Sequence, residues 1–235
     1  MEFTPTVFVE RLAGIKARIK AAAIRTGRDP SRVLLLAVSK AQPIEKVRAA
    51  LESGHLDFGE NYAQELAEKL DSLQEARFHF IGGLQRNKVR QILGRVAMIH
   101  SVDRMSLLDE MLRRWRPEMG PCRFLIEVNL AGEASKSGCE AAEVMGLVQR
   151  ALDHDANLVP AGLMTVPPFS LSPEETRPFF KRLVSLKDEI TASLAPGNAE
   201  LFCHLSMGMS GDFEVAVEEG ATIVRVGTAL FGSRR

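Results

Sequence analysis

Short apolar runs of strand length alternate with longer amphipathic segments along the chain. The first amphipathic segment has apolar residues at three- and four-residue steps with basic residues between them: Phe8, Leu12, Ile15, Ile19 and Ala22 or Ala23. This spacing predicts a helix with one buried face, and Gly27 is a typical helix end. The run that follows, Val33–Val38, is apolar at every position. Such a run is typical of a parallel strand that helices cover on both faces.

The same alternation continues through the chain and gives eight candidate strands. They are Val33–Val38, Leu56–Gly59, Phe78–Gly82, Ala97–Val102, Arg123–Asn129, Leu158–Val166, Leu201–Met207 and Ala221–Val226. The helical segments between them are Ile44–Ser53, Tyr62–Leu73, Gln85–Leu93, Arg104–Arg114, Ala141–Leu152, Pro173–Leu194 and Gly211–Glu219. This order predicts an α/β fold, a (β/α)8 TIM barrel with an additional N-terminal helix. The alternative, an open doubly wound sheet, requires a G-x-G-x-x-G turn where this chain has Ser39-Lys40-Ala41-Gln42.

The longest predicted helix, Pro173–Leu194, has a clear start. Ser172 and Glu175 have the spacing of a capping box. Its predicted buried stripe is Phe179, Leu183, Leu186 and Ile190. Because a proline breaks the helical hydrogen-bond pattern, Pro178 predicts either a kink or a later helix start.

Composition excludes several classes of protein. Among 235 residues, thirty Lys and Arg balance thirty Asp and Glu, so the formal net charge is zero. This balance argues against a protein that works mainly by binding nucleic acid or anionic lipid. No apolar run is long enough to cross a bilayer, and Met1–Glu10 lacks the features of a secretory signal. We therefore expect a soluble, cytoplasmic protein made of one domain that spans residues 1–235.

Cysteine and histidine spacing indicates neither a disulfide scaffold nor a metal site. The three cysteines contain no C-x-x-C pair, and the five histidines contain no H-x-x-x-H pair. We expect no bound metal. Candidate chemistry must instead be sought at the carboxyl ends of the strands, where barrels carry their functional residues.

Lys40 lies two residues after the last residue of the first predicted strand, at the rim of the core. The commoner interpretation of such a residue is a rim lysine paired with a carboxylate. The alternative is a lysine whose charged form burial destabilises, which leaves a neutral amine able to condense with an aldehyde.

Other strand ends carry weaker candidates. Asn61 either donates to a ligand or caps a helix, and His79 lies at the barrel mouth or in the core. The pair Gly82-Gly83 allows close approach to the backbone. Lys136 follows the fifth strand, where a solvated turn lysine is the preferred interpretation.

The last two strands end in a pattern that suits a phosphate group. Ser206 to Gly211 combines serines and glycines before a helix, and Gly227 and Thr228 do the same after the eighth strand. Arg225 lies within an apolar strand and therefore requires an anionic or acceptor partner. Because the first strand neighbours the eighth in a closed barrel, Lys40 is expected to face these residues. An amine and a phosphate site together are what pyridoxal phosphate requires.

These residues form part of a longer set of motifs that resembles one family. The matching segments are Leu36–Lys40, Phe58–Tyr62, His79–Gly82, Leu84-Gln85, Asn87-Lys88, Lys136–Gly138, Gly162–Met164, Leu205–Ser210 and Val224–Gly232. They resemble the pyridoxal phosphate homeostasis proteins, the YggS/PROSC group, in order and over nearly the whole chain. Two positions depart from the pattern: Phe78 replaces a usual tryptophan, and Gly83 occupies a variable position.

The resemblance implies a barrel like the N-terminal domain of bacterial alanine racemase, with pyridoxal phosphate as its cofactor. It implies that Lys40 carries the cofactor as an internal aldimine and that Arg225 lies next to the pyridine nitrogen. The implied phosphate-binding residues are Ser210, Gly227 and Thr228. The implied pocket wall is formed by Asn61, His79, Ser206 and Met207.

Three functions remain to be compared. The first is a carrier that buffers pyridoxal phosphate and delivers it to apo-enzymes, without catalytic residues of its own. The second is an amino-acid racemase, which needs acid/base groups on both faces of its substrate; this chain has one tyrosine, Tyr62, and no second domain is predicted. The third, a Schiff-base aldolase, wants a carboxylate or second lysine near Lys40, and the sequence places none.

We favour the carrier, with the racemase as the alternative. An arginine beside the ring nitrogen keeps that nitrogen unprotonated, which slows carbanion chemistry. We expect a monomer. We also predict Lys136 as a second, weaker contact for the cofactor, against the alternative of a solvated turn lysine.

Overall fold

The computed structural model describes residues 3–133, 136–154, 157–168 and 171–232, so Met1 and Arg235 of the predicted domain lie outside the described residues. Eight parallel strands form a closed barrel in chain order, from β1 to β8. The strands are β1 (Leu34–Val38), β2 (Asp57–Glu60), β3 (Arg77–Phe80), β4 (Met98–Val102), β5 (Cys122–Glu127), β6 (Leu158–Met164), β7 (His204–Ser206) and β8 (Ile223–Val226). The predicted (β/α)8 barrel is confirmed.

The helices surround the barrel, and one of them precedes it. They are α1 (Pro5–Arg25), α2 (Ile44–Glu52), α3 (Ala63–Ser72), α4 (Val89–Ile92), α5 (Met105–Arg114), α6 (Val144–Leu152), α7 (Pro173–Ala192), α8 (Pro196–Leu201), α9 (Phe213–Glu218) and α10 (Thr228–Phe231). Among the described helices, none is long and apolar enough to cross a membrane.

The additional helix α1 forms for the reasons that its sequence indicates. Thr4 caps its start by accepting a hydrogen bond from the Val7 N–H at 3.2 Å, and Gly27 follows its end with φ 68°. Every residue of the predicted apolar stripe is buried. This face packs against α2, α9 and α10. The helix thus covers the region where the barrel closes.

Helix α7 departs from the expected pattern in one detail. It starts at Pro173 and continues through Pro178, and the Ser172 N–H donates to the Glu175 carboxylate at 2.7 Å as the capping box predicts. Phe180, not Phe179, is the fully buried aromatic of its stripe. Leu183, Leu186 and Ile190 are buried as predicted, so the expected stripe was wrong only at Phe179, whose side chain points about 100° away from that of Phe180.

The strand expected at Leu201–Met207 begins later. Residues Pro196–Leu201 form α8 instead, because a proline at the first helical position favours a helix start. Leu201 is 46% exposed, and β7 contains only His204–Ser206. The segment expected as the helix Gln85–Leu93 is likewise divided, into a 3-10 turn at Arg86–Lys88 and the short α4.

Barrel closure brings the two ends of the chain together. β1 pairs with β8 in parallel, with Leu36 opposite Arg225 and Ala37 opposite Val226. Lys40 and Gly227, which follow these strands, therefore emerge at the same end of the barrel. This arrangement confirms that the first strand neighbours the eighth.

Candidate functional site

A cavity of about 750 Å³ opens at the carboxyl ends of the strands. Seven of the residues singled out from the sequence line it: Lys40, Asn61, Lys136, Ser210, Arg225, Gly227 and Thr228. Three others, His79, Ser206 and Met207, do not line this cavity and are buried in the barrel. Ser206 is joined to the cavity through Arg225, whose Nη1 donates to Ser206 Oγ, so the predicted contact of these three residues with the cofactor stays a prediction.

Carboxylates hold the residues on both sides of Lys40, one through a side chain and one through the backbone. The Ser39 hydroxyl donates to Glu60 Oε1 at 2.6 Å. The Ala41 N–H donates to Glu65 Oε1 at 2.9 Å. Ala41 has φ 56°, in the left-handed region, which costs energy for a residue other than glycine. Lys40 therefore extends from a segment that neighbouring side chains hold in place.

A second lysine joins these carboxylates below Lys40. Lys69 Nζ donates to Glu60 Oε1 and Glu65 Oε1, both at 2.6 Å, and to the Ser39 carbonyl at 2.8 Å. Lys69 is 3% exposed and Glu60 is fully buried. Burial raises the pKa of Glu60, while Lys69 and the Ser39 hydroxyl oppose this rise. We call Ser39, Glu60, Glu65 and Lys69 the Lys69 cluster.

The phosphate side of the site combines hydroxyl and backbone donors. The Thr228 hydroxyl lies 3.3 Å from the Ser210 hydroxyl. Helix α10 begins at Thr228, and the first N–H groups of a helix have no partner within it. Asp212 Oδ1 accepts the Met209 N–H at 2.6 Å and so holds the loop before α9. At Gly227 a Cβ would lie 3.3 Å from the Val38 carbonyl oxygen, so a side chain there would crowd β1.

Arg225 is buried with two identified acceptors. Nη1 donates to Ser206 Oγ at 2.7 Å and Nη2 to the Thr165 carbonyl at 2.9 Å, as expected for an arginine in an apolar strand. Burial lowers the pKa of Arg225 to about 10, and the carboxylates of Glu127 and Asp212 oppose this shift. Arg225 therefore stays charged at neutral pH and faces the cavity.

Asn61 and Gly82 meet at the cavity wall. A Cβ on Gly82 would lie 2.3 Å from the Asn61 carbonyl oxygen, so only glycine fits beside this backbone. The Asn61 side-chain Oδ1 is buried and, within the described residues, has no hydrogen-bond partner. Tyr62 occupies the cap position of α3. An unsatisfied oxygen inside a cavity points to a ligand that supplies the missing donor.

The sequence alone missed Glu127, the last residue of β5. It lines the cavity and is 8% exposed. Burial raises its pKa to about 7, the Asp103 carboxylate acts in the same direction, and Arg225 opposes them. Glu127 and Lys136 both share the cavity with Lys40. Sequence reasoning had placed no carboxylate near Lys40, and the structure supplies Glu127. A lone carboxylate in an apolar strand was the available clue.

Lys136 and His79 have identified neighbours. Lys136 Nζ lies 3.1 Å from Glu133 Oε1, and Lys136 lines the cavity. His79 is 4% exposed, and its Nδ1 lies 2.9 Å from His100 Nε2. The sequence singled out His79 but gave no role to His100, because a histidine within a strand does not reveal its partner.

Comparison with known proteins agrees with this geometry. The family model described as "Alanine racemase, N-terminal domain" matches residues 11–235. The "Pyridoxal phosphate homeostasis protein" of Aquifex aeolicus (strain VF5) is 44% identical over 228 residues, which cover 96% of this chain and 98% of that protein. The protein of the same name from Pseudomonas aeruginosa is 40% identical, with 97% and 96% covered.

A solved structure extends the comparison to a bound cofactor. PipY of Synechococcus elongatus, determined with PLP bound, is 34% identical to this chain and superposes with a TM-score of 0.79. The match covers 96% of this chain and 100% of PipY. The chain therefore belongs to the alanine racemase N-terminal domain family and, within it, to the pyridoxal phosphate homeostasis proteins.

Proposed function

We propose that this protein binds pyridoxal 5′-phosphate (PLP) covalently through Lys40 and holds it for release to other proteins, without catalysing a reaction of its own. One observation carries the proposal: Lys40, Arg225 and the Ser210–Thr228 hydroxyl pair line a single cavity. The PLP bound to PipY, a full-length relative, supports the same ligand.

The residues that line the cavity fit this cofactor. Bound PLP supplies an aldehyde for attachment and a ring that accepts electrons. The Lys40 amine condenses with the aldehyde and releases water. Ser210 and Thr228 donate to the phosphate through their hydroxyls, together with the N–H groups that follow Gly227. Asn61 Oδ1 accepts from the bound ligand or from a water beside it.

The residues beneath the cavity have a supporting role in this proposal. We propose that His79 and Ser206 hold Arg225. We also propose that Met207, which is fully buried, fills the space below the loop before α9. Lys136 offers a second amine in the same cavity, and we propose it as a weaker contact during loading or release.

Arg225 supports a carrier rather than a carbanion-forming enzyme. A charged guanidinium donates to the pyridine nitrogen and disfavours its protonation. An unprotonated ring withdraws electrons less strongly, so proton removal from a bound amino acid is slow. Tyr62, the chain's one tyrosine, is 57% exposed and does not line the cavity. We therefore propose that the protein acts as a cytoplasmic monomer whose partners are PLP and PLP-dependent apo-enzymes.

A racemase-like activity is the second candidate, and Glu127 is the observation that favours it. Its pKa of about 7 suits a general acid or base at neutral pH, and it shares the cavity with Lys40. Proton exchange at the α-carbon of an amino acid separates this candidate from a carrier.

Borohydride reduction tests the attachment site. Purified protein is incubated with PLP, reduced and digested, and the modified lysine is identified by mass spectrometry. We expect the adduct on Lys40 and a yellow protein before reduction. Lys20→Ala, which removes an exposed lysine of α1, is the matched control and should behave as wild type. Recovery of the adduct only on other lysines would refute the assignment.

The Lys40→Ala protein tests Lys136 in the same experiment. With excess PLP we expect a weaker adduct on Lys136, which disappears in the Lys40→Ala, Lys136→Ala double variant. No adduct in Lys40→Ala protein, or an equal one after Lys136 is removed, contradicts the second contact.

A further inference from the structure

A chain of buried polar side chains runs through the barrel from Arg225 toward the amino-terminal end of β2. Arg225 Nη1 lies 2.7 Å from Ser206 Oγ, and Ser206 Oγ lies 2.9 Å from His100 Nδ1. His100 Nε2 lies 2.9 Å from His79 Nδ1. His79 Nε2 lies 3.8 Å from Asp57 Oδ1, an electrostatic contact longer than a hydrogen bond. Four strands contribute to this chain, and a fifth strand, β2, provides the carboxylate.

The two end members of this series of polar side chains, Arg225 and Asp57, have fixed hydrogen-bonding roles. Arg225 only donates, so Ser206 Oγ accepts from it. At the other end, burial works to raise the pKa of Asp57, but the nearby His79 and the guanidinium of Arg77, which donates to both carboxylate oxygens, outweigh burial and lower it to about 2. Asp57 is therefore ionised and only accepts. A proton on His79 Nε2 is the group that this carboxylate favours.

Between these two ends, only one direction of hydrogen-bond donation is consistent. Burial lowers the pKa of His100 well below its usual value, and His79, Arg225 and His204 act in the same direction, so His100 is neutral. With a proton on its Nε2, His79 accepts at Nδ1, and His100 Nε2 donates to it. His100 Nδ1 then accepts the Ser206 hydroxyl. The Ser206 hydroxyl and the ring nitrogens of His79 and His100 all have partners only in this arrangement.

We propose that Asp57, His79 and His100 act through Ser206 as positioning residues for Arg225. They form a hydrogen-bond relay with a fixed direction, in which the carboxylate at one end keeps the Ser206 oxygen available to the guanidinium at the other. Arg225 is thereby held with its remaining donors toward the cavity. This inference rests on the proposed function only where it concerns the ligand that Arg225 contacts.

Histidine tautomers test the relay without any cofactor. Nitrogen-15 histidine NMR on PLP-free protein distinguishes a proton on Nε2 from one on Nδ1, and His→Gln variants assign the signals. We expect a neutral His100 with its proton on Nε2, and a His79 ring with a proton on Nε2 and none on Nδ1. A proton on Nδ1 of either ring, or a charged His100, overturns the relay.

Variants at His100 test its effect on the cavity. In His100→Phe, the hydroxyl of Ser206 and Nδ1 of His79 lose their partner. We expect PLP retention to weaken by roughly fivefold to tenfold and the absorption maximum of the lysine-bound chromophore to shift, while borohydride still fixes PLP on Lys40. His100→Gln can both donate and accept, so we expect it to restore retention to within about twofold of wild type.

Asp57→Asn and Asp71→Asn form a matched pair. Asp57→Asn removes the charge that sets the direction, so we expect a mixture of His79 tautomers and a shifted chromophore. Asp71→Asn removes an exposed carboxylate that accepts from Arg95 at 2.6 Å and lies outside the relay, so it should match wild type. Asp57→Asn keeps the proposal testable if His100→Phe does not fold.

The two proposals fail in different ways. If wild-type protein takes up no PLP, the proposed function fails, and the tautomers still decide the relay. If wild type binds PLP and the folded His100→Phe and Asp57→Asn variants show wild-type retention and absorption, the relay is overturned and the carrier function stands.

Discussion

Two hydroxyl groups, on Ser210 and Thr228, lie 3.3 Å apart although 18 positions separate them in the chain. We expect Ser210→Ala and Thr228→Val each to weaken PLP binding by about 1.5–3 kcal/mol, because each loses a hydrogen bond to a charged phosphate. Equilibrium dialysis of PLP measures this loss. Thr191→Val, which removes a hydroxyl from α7, is the matched control. Unchanged affinity in both cavity variants would contradict this phosphate position.

Because of Glu127, the free energy of unfolding depends on pH, and burial of the carboxyl sets the direction of this dependence. Burial raises its pKa to about 7, whereas an unfolded glutamate titrates near ~4.3. The folded state therefore binds this proton more tightly than the unfolded state does. The stabilising contribution is present at acidic pH and is lost as the pH rises to about 7.

The Glu127→Gln variant isolates this effect from the other titratable groups of the protein. Relative to wild type, we expect the variant to gain roughly 2 kcal/mol in unfolding free energy between about pH 5 and about pH 8. Urea denaturation at both pH values measures the difference. Glu68→Gln, at an exposed carboxyl of α3, should show no such gain. A constant difference at both pH values would place the Glu127 titration outside this window.

At the scale of elements, the Lys69 cluster fastens α3 to the segment between β1 and α2. Lys69 bonds to Glu60 at the end of β2, to Glu65 on its own helix and to the Ser39 carbonyl beside Lys40. Because Lys69 and Glu60 are both buried, removing one partner leaves the other charge without compensation. The position of Lys40 thus depends on a helix that does not itself line the cavity.

We expect Lys69→Met to destabilise the protein by about 3–5 kcal/mol and to weaken PLP retention through the displaced Lys40. The loss should be smaller at acidic pH, because burial raises the pKa of Glu60 and a protonated carboxyl no longer needs the ammonium group. Urea denaturation at two pH values measures it. Lys20→Met, at an exposed lysine of α1, controls for the substitution. Equal small effects in both variants would contradict the role of the cluster.

At the scale of the whole molecule, the cavity lies at the carboxyl end of a barrel with Arg225 at its base. We expect no meaningful turnover of amino acids, because Arg225 disfavours ring protonation and carbanion formation. The assay incubates PLP-loaded protein with single enantiomers of alanine in deuterated water. Deuterium uptake or racemisation at roughly 1 per second or more would support the racemase alternative. We expect slow transfer of PLP to an apo-enzyme instead.

Glu127→Gln separates the two functions further. If Glu127 is a general acid or base, its removal abolishes any exchange at the α-carbon. If the protein is a carrier, the same variant leaves transfer of PLP to the apo-enzyme within about twofold of wild type. Exchange that persists without Glu127 would require another group in the cavity.

The barrel and seven of the residues that line its cavity could be predicted from the sequence. Alternation of apolar strands with amphipathic helices fixes a parallel α/β fold, and closure places strand ends on one face. Lys40, Arg225 and Thr228 could be found because each lies at or next to a strand end. Their separation along the chain did not matter, since the order of parallel strands alone brings these ends together.

Which polar groups inside the barrel meet is visible only in the folded structure. Glu127 and His100 appear in the sequence as single polar residues within apolar strands, and Lys69 appears as one of several charged residues of a helix. The sequence does not show that Lys69 also reaches Glu60 and the Ser39 carbonyl. Register and burial choose those partners, because a shift of one residue turns a strand side chain to the opposite face of the sheet. Burial also sets the pKa of Glu127 near 7, and no local sequence pattern records how far a carboxyl lies from water.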